Sequence, residues 1–234
     1  MKAVRKQKPG QTNTDEIVES LRRAILEHKL IPGAKLSEDE VCAVFNVGRT
    51  IVRGVLQALA HENLVTIKRN RGAFVADPGV REAREVFEAR ALLEPRTAHS
   101  AALRATKKDV KTLRAHIAAE HAAIEAGDIG SAVYLSGLFH AAIADIADQS
   151  TIAAFIQSLV SRSSLIVALY WKRRNTLCES HAHHELIDAI ANNDGPRAEA
   201  LMQSHLVDLL SGLDLREKPT APSSLKEALG SPSV

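Results

Sequence analysis

The chain has 234 residues and only two cysteines, Cys42 and Cys178. They lie far apart and form no motif, so nothing points to a disulfide framework. A reduced, cytoplasmic protein is the simple expectation. Long apolar runs are missing as well. None approaches the roughly 18 residues that cross a bilayer, so no membrane association is expected. No apolar segment follows the basic N-terminus, which leaves no secretory signal. There is no internal repeat and no heptad pattern long enough for a coiled coil, and beyond residue 79 there is no convincing strand alternation. What is present is ordinary globular composition, 45% hydrophobic and 25% charged. The length suits one large domain or two small ones with proper cores.

The net charge of +2 hides an asymmetry. Residues 1–76 hold 13 Lys/Arg against 8 Asp/Glu, whereas residues 77–234 hold 17 against 20. The basic end suggests a polyanionic partner. Within it, Arg49 and Arg53 stand four residues apart and share one helical face. Val52, Val55, Leu56 and Leu59 form a buried stripe on the other. A short helix with an apolar back and two arginines near its N-terminus suits a DNA major groove. A solvated basic face on an ordinary helix explains the pair equally well when it is taken alone.

The surroundings decide between them. Residues 1–12 read as a flexible basic arm. Thr14 caps a helix expected through Lys29, with Ile17, Leu21 and Ile25 inward, and Ile31-Pro32-Gly33 stops it. Ser37 is expected to cap a second helix, with Glu40 as its capping-box partner and Val41, Val44 and Phe45 inward. The Arg49/Arg53 helix runs to about His61. Leu64–Ile67 and Ala73–Ala76 read as two strands around the basic turn Lys68–Gly72. Three helices and a basic hairpin make a winged helix-turn-helix over residues 13–76. Arg69 and Arg71 of the wing would face phosphates, and Gly72 would supply a positive φ or a close backbone approach. Asp77-Pro78-Gly79 signals a linker, taken as 77–85. Six helices follow, at roughly 80–103, 107–126, 128–147, 150–175, 177–193 and 195–213, with Pro95 expected to kink or split the first. They form an all-helical bundle across 86–215. Trp171–Arg174 reads as the end of a long apolar helix, its cations set against the helix dipole. Residues 216–234 read as a disordered tail, in which Leu225–Leu229 could form one helical turn. The fold class is mostly α.

The first domain resembles the winged-helix domain of GntR-type bacterial transcriptional regulators. The resemblance rests on Ile31–Glu38, Val47–Arg53, Leu56–Leu59 and Asn70–Val75. The second domain resembles the FCD effector domain of the FadR-like subfamily, through Arg90–Pro95, Phe139-His140, His183 with Ala189-Ile190, and Ala198–His205. The resemblance assigns base and phosphate contact to Arg49 and Arg53, with Lys35, Thr50, Arg71 and Gly72 as weaker candidates. The chain departs from the family at Gly48, where Ser is usual, and at Ile51, Gly54, Val55 and Asn63. Gly48 removes a capping hydroxyl, and Gly54 costs the helix roughly 1 kcal/mol against Ala.

Ten histidines is a large number. His140, His183 and His205 fall on three different helices, each beside apolar residues that turn it inward. On spacing alone, a buried imidazole satisfied by a carbonyl or water competes with a metal site built across facing helices. The resemblance implies the metal: many FCD domains bind a divalent cation through three His and one Asp. That Asp normally stands four residues before the first His, and here Ser136 holds the position. Three imidazoles still suit Zn²⁺ or Ni²⁺ with open coordination positions. His181 and His184 flank His183 and are alternatives for its place. Arg90 and Arg162 are candidates for an effector carboxylate clamp, with ordinary ion pairs as the competing role.

These readings add up to a homodimeric, ligand-responsive regulator that binds double-stranded operator DNA and responds to a small effector, and not to an enzyme. The alternatives are a metal-dependent hydrolase in the helical domain and a DNA-binding protein that answers to no ligand. Against the hydrolase, no nucleophile motif and no placed general base are visible.

Overall fold

The computed structural model describes residues 14–172 and 177–216, with side chains from 182 onward in the second stretch. The basic arm, Arg173, Arg174, the side chain of His181 and residues 217–234 lie outside the described residues. Helix α1 is Thr14–Leu26, strand β1 Lys35–Leu36, α2 Glu38–Phe45, α3 Arg49–His61, β2 Val65–Lys68 and β3 Gly72–Val75. The body follows as α4 Val80–Arg104, α5 Lys107–Glu125, α6 Ile129–Ile146, α7 Ser150–Tyr170, α8 Leu177–Ala191 and α9 Gly195–Ser211.

The head is built as its apolar spacing demands. Ile17, Leu21 and Ile25 of α1 meet Val52, Val55, Leu56 and Leu59 of α3 in one core, all nearly inaccessible. The hairpin closes this core with Val65, Ala73 and Val75. Its order is β1-β3-β2, all antiparallel. The two-residue β1 pairs Lys35 with Phe74 and is an addition to the expected hairpin. Gly72 has φ +94°, the left-handed backbone that favours glycine at that turn.

Several expectations need correction. Helix α1 stops at Leu26 rather than Lys29, because His28 turns left-handed at φ 57° and the Leu30 N–H reaches back to the Ala24 carbonyl. Ser37 precedes α2, but its side chain makes no capping hydrogen bond. Val44 is 75% exposed, on the outer side of a helix whose buried residue is Val41. Pro95 does not split α4, which runs unbroken for 25 residues. Because α4 starts at Val80, only Asp77-Pro78-Gly79 separates head from body.

Helix α4 is the spine of the body and packs against α6, α7, α8 and α9. Helix α7 ends at Tyr170, where Trp171 turns extended and forms an isolated antiparallel bridge with Leu213. Lys172 pairs with Asp214, while Arg173 and Arg174, the other cations expected at this helix end, lie outside the described residues. The Tyr170 hydroxyl donates to the Pro78 carbonyl at 3.0 Å, and the Asp214 N–H donates to the Tyr170 carbonyl at 2.8 Å. Helices α6 and α7 correct one further expectation. With mean hydropathies of 1.4 and 1.7, both are long and apolar enough to cross a membrane by length and composition. Scattered Ser, Gly and His break any visible apolar run while leaving the average high. Both helices pack against α4 and against each other in the bundle.

Candidate functional site

Arg49 and Arg53 stand on the open face of α3, with their side chains 63% and 64% exposed. Each is held by an acid of the preceding helix. Arg49 pairs with Asp39 at 2.7 Å, and Arg53 Nε donates to both oxygens of Glu38. Thr50 is exposed beside them. Gly48 precedes α3 in extended backbone without a capping side chain, so the first N–H groups of the helix have no hydroxyl partner from that position. In the wing, Lys68 Nζ lies 4.9 Å and Arg71 Cζ 5.9 Å from the centre of the Phe74 ring. A side chain at Gly72 would lie 3.8 Å from Lys35 Cε, so Lys35 and the wing turn are neighbours. Lys35, Arg71 and Gly72 are all exposed.

The three histidines meet. His140, His183 and His205 are each at least 97% buried, although they come from α6, α8 and α9. His183 Nε2 lies 3.2 Å from His205 Nε2, which lies 3.3 Å from His140 Nε2. His184, the flanking alternative, is exposed, its ring tilted at 59° against that of His121 with centroids 5.1 Å apart. Behind the ring of nitrogens stand two buried carboxylates. Glu94 accepts from His140 Nδ1 at 2.6 Å, and Glu120 accepts from His183 Nδ1 at 3.2 Å. Each carboxylate fixes the proton on Nδ1 and leaves a lone pair on Nε2. The Nε2 atoms of His140 and His183 are then acceptors on either side of His205 Nε2, about 3 Å from each, a spacing that suits a cation between the three rings or an Nε2–H on His205. Burial lowers the His140 imidazole below its ordinary pKa against the pull of Glu94. Burial, reinforced by His183 and His140, lowers His205 much further. Neutral imidazoles are the form a metal binds.

Burial alone would push the Glu94 carboxyl up, but Arg90 and His140 outweigh it and bring it down to about 2. Arg90 is itself sealed between Glu94 and Ser163 Oγ, to which it donates at 2.9 Å. It also lines a cavity of about 240 Å³ together with Ser136, His140, Glu120, Ser163 and His28. Apolar walls come from Phe87, Val160 and Trp171. The volume is just below the ~300–1,000 Å³ usual for small-ligand sites. Ser136 therefore lies beside His140, where the usual Asp would stand.

Arg162 does not join Arg90. One residue before the inward Ser163, it points away and pairs with Glu82 at 2.6 Å, near the linker. It lines a separate hollow with Asn63 and Asp77. The expected two-arginine clamp is therefore absent from the cavity. Reading the sequence also missed Glu120 and gave Glu94 no role. The signal was there: Glu120 continues the inward spacing of Leu113 and Ile117 on α5.

Comparison with known proteins matches residues 13–75 to "Bacterial regulatory proteins, gntR family" and residues 85–208 to "FCD domain". The HTH-type transcriptional repressor RspR of Escherichia coli is 28% identical over 204 residues, covering 86% of this chain and 89% of that protein. The galactonate operon transcriptional repressor of the same organism is 29% identical over 211 residues, covering 80% and 90%. Among solved structures, McbR/YncC of E. coli superposes with a TM-score of 0.76 at 20% identity, over 85% of this chain and 95% of that one. A GntR transcriptional regulator from Rhodococcus gives 0.75 at 24% identity over the same shares. The fold is thus shared with regulators along nearly its full described length, and the chain belongs to the gntR family of bacterial regulatory proteins, in the group that carries an FCD domain.

Proposed function

We propose that this protein is a cytoplasmic, ligand-responsive transcriptional regulator that binds operator DNA as a homodimer. In this reading α3 enters the major groove, with Arg49 and Arg53 on base edges and phosphates, Thr50 beside them, and Lys35, Arg71 and Gly72 at the wing. The observation that carries it is the open, cationic edge of α3 on a well-closed apolar core. The acids that hold the two arginines keep them extended and release them to phosphate at little cost, because exposed pairs contribute about 0–1 kcal/mol. Two-fold symmetry of the dimer would set the spacing of operator half-sites. Exposed apolar side chains on the body, Leu92 at 74% and Phe155 at 60%, support self-association.

The body senses a small molecule. His140, His183 and His205 would hold a divalent cation such as Zn²⁺ or Ni²⁺, oriented by Glu94 and Glu120. When bound, such a cation supplies a positive centre with open positions for an anionic group. Ser136, which cannot supply the usual carboxylate charge, leaves that centre more positive and favours an acidic effector. Arg90 adds to the same field from the cavity wall. A relative named for a galactonate operon is consistent with this, galactonate being a carboxylate. Among the described residues, no carboxylate beside the three histidines is free to act as a base for the hydrolase alternative. Glu94 and Glu120 are both bonded to imidazole backs, and membership of a family of regulators points the same way.

Two experiments test the reading. A gel shift on DNA selected by the protein from a random duplex pool should show specific binding that Arg49→Ala abolishes while leaving the thermal unfolding midpoint unchanged. Equal affinity in the variant would refute the assignment of Arg49. Metal analysis of protein purified without chelator or a histidine tag should find a divalent ion in the wild type and lose it in His183→Ala. No metal in either would remove the metal centre.

A further inference from the structure

The cavity in the body has a wall that belongs to the head. His28, just beyond α1, lines it together with Arg90, Ser136, His140 and Trp171. Its Nε2 donates to the Ser164 carbonyl at 3.0 Å and lies 3.2 Å from Ser164 Oγ. Ser164 Oγ in turn donates to the Leu26 carbonyl at 3.1 Å, so the end of α1 and the middle of α7 grip each other from both sides. The contact is close-packed. A Cβ on Gly130 would lie 1.9 Å from the Glu27 carbonyl oxygen, so only glycine lets α1 come this near to α6. Around it, Leu165 of α7 is part of the apolar core of the head, and Tyr134 of α6 packs on the same core under Arg23.

The arrangement along α7 gives this seam a purpose. Ser163 and Ser164 are consecutive. Ser163 takes the Arg90 guanidinium of the cavity, and Ser164 takes His28 and Leu26 of the head. An occupant of the cavity that shifts Arg90 therefore acts on the residue next to the grip, and one that fills the cavity also meets the His28 side chain directly. We propose that His28 is an effector-contacting residue supplied by the DNA-binding domain. The ligand is then sensed by the head itself at the Leu26–His28 seam, in addition to any strain carried by the Asp77–Gly79 connection. The ligand class is the small carboxylate of the preceding reading, on which this inference rests. The coupling is thermodynamic: an occupant that binds better with His28 in place favours the docked head, and the docked head favours the occupant by the same factor.

The chain has one tryptophan, and it lines this cavity, so its emission reports occupancy without a label. The test titrates the full-length protein with acetate, malonate and succinate. It follows Trp171 emission for the cavity and amide hydrogen exchange over residues 24–30 for the seam. In the wild type, at least one probe should change both signals with the same midpoint. His28→Ala should weaken that midpoint about tenfold, the upper end of what one lost neutral side-chain contact gives, and should abolish the exchange response. His28→Gln, which keeps a donor for the Ser164 carbonyl, should retain the docked exchange pattern while still weakening the probe. Gly130→Ala, which wedges the seam and draws His28 off the cavity wall, should leave a Trp171 response with a weakened midpoint and no matching exchange response. A wild-type midpoint together with a wild-type exchange response in His28→Ala overturns the proposal and leaves a carboxylate cavity intact. Silence of Trp171 towards all three probes at millimolar concentration overturns the carboxylate reading, and this inference falls with it.

Discussion

Head and body use the same chemistry, arginine paired with a carboxylate, to opposite ends. In the head, Arg49 and Arg53 meet Asp39 and Glu38 in the open, where water and salt weaken each pair and a phosphate can replace the acid. In the body, Arg90, Glu94 and His140 are joined where almost no solvent reaches, their side chains at most 4% exposed. A surface pair is a reversible holder for a side chain that has work elsewhere. A buried one is a fixture, because removing either partner strands a charge in a medium that cannot solvate it. The difference follows from position alone: the charges of the head stay open to a partner, and those of the body face a small enclosed space.

The comparison can be broken at either end. The largest effect is expected from Glu94→Ala, which leaves Arg90 and His140 without their shared partner. Urea unfolding should show a loss of about 3–5 kcal/mol, and a loss below 1 kcal/mol would mean that the buried pair is no fixture. Next in size is Arg49→Ala, which should remove about 1–3 kcal/mol of discrimination at each half-site, and with it specific binding in a gel shift, with no change in stability. Third is pH, measured on metal-free protein. Burial lowers His140 and His205 below their ordinary value, so the unfolded chain takes up protons first on acidification. Stability should therefore fall as pH drops through about 6.5. A second fall is expected below about 4.3, as the depressed Glu94 loses its advantage. Urea midpoints identical at pH 7 and pH 5 would contradict the first step. The smallest effects belong to the head. Glu38→Gln should cost no more than about 1 kcal/mol. Gly54→Ala should stabilise α3 by about 0.5–1 kcal/mol, since nothing lies within 4 Å of the added methyl. A fall in melting temperature for the latter would show that the helix needs the glycine.

Much of this architecture could be read in the residues. The stripe of Val52, Val55, Leu56 and Leu59 has a period that only one helix face satisfies, and each of them is buried. The body helices begin and end close to where Thr106, Asp128 and Asp194 offer capping oxygens, and all three side chains do cap. His140, His183 and His205 were legible as inward-facing singly, but their convergence depends on how three helices are set against one another, which no local pattern encodes. Arg162 shows the same limit in reverse. One residue of helical rotation separates it from Ser163, and that decides between the cavity and the linker side. Strand β1 is too short to carry a periodic signal and exists only because β3 offers it an edge. His28 is invisible to a pattern that carries the first helix on through Lys29, and only the packing of α1 on α6 and α7 gives it a place.

The hydrogen bonds of Tyr170 bear on how the two halves move. The residue ties the Pro78 carbonyl to the end of α7, and its own carbonyl is held by Asp214 from the returning strap. The short joint between the halves is thus pinned to the body and is no free swivel. Head orientation is restricted to arrangements that keep this pin or break it outright, which makes a few discrete poses more natural than a continuum. A regulator pinned in this way should switch in steps, and in the proposed dimer the spread of distances between the two heads should resolve into separate peaks rather than one broad band.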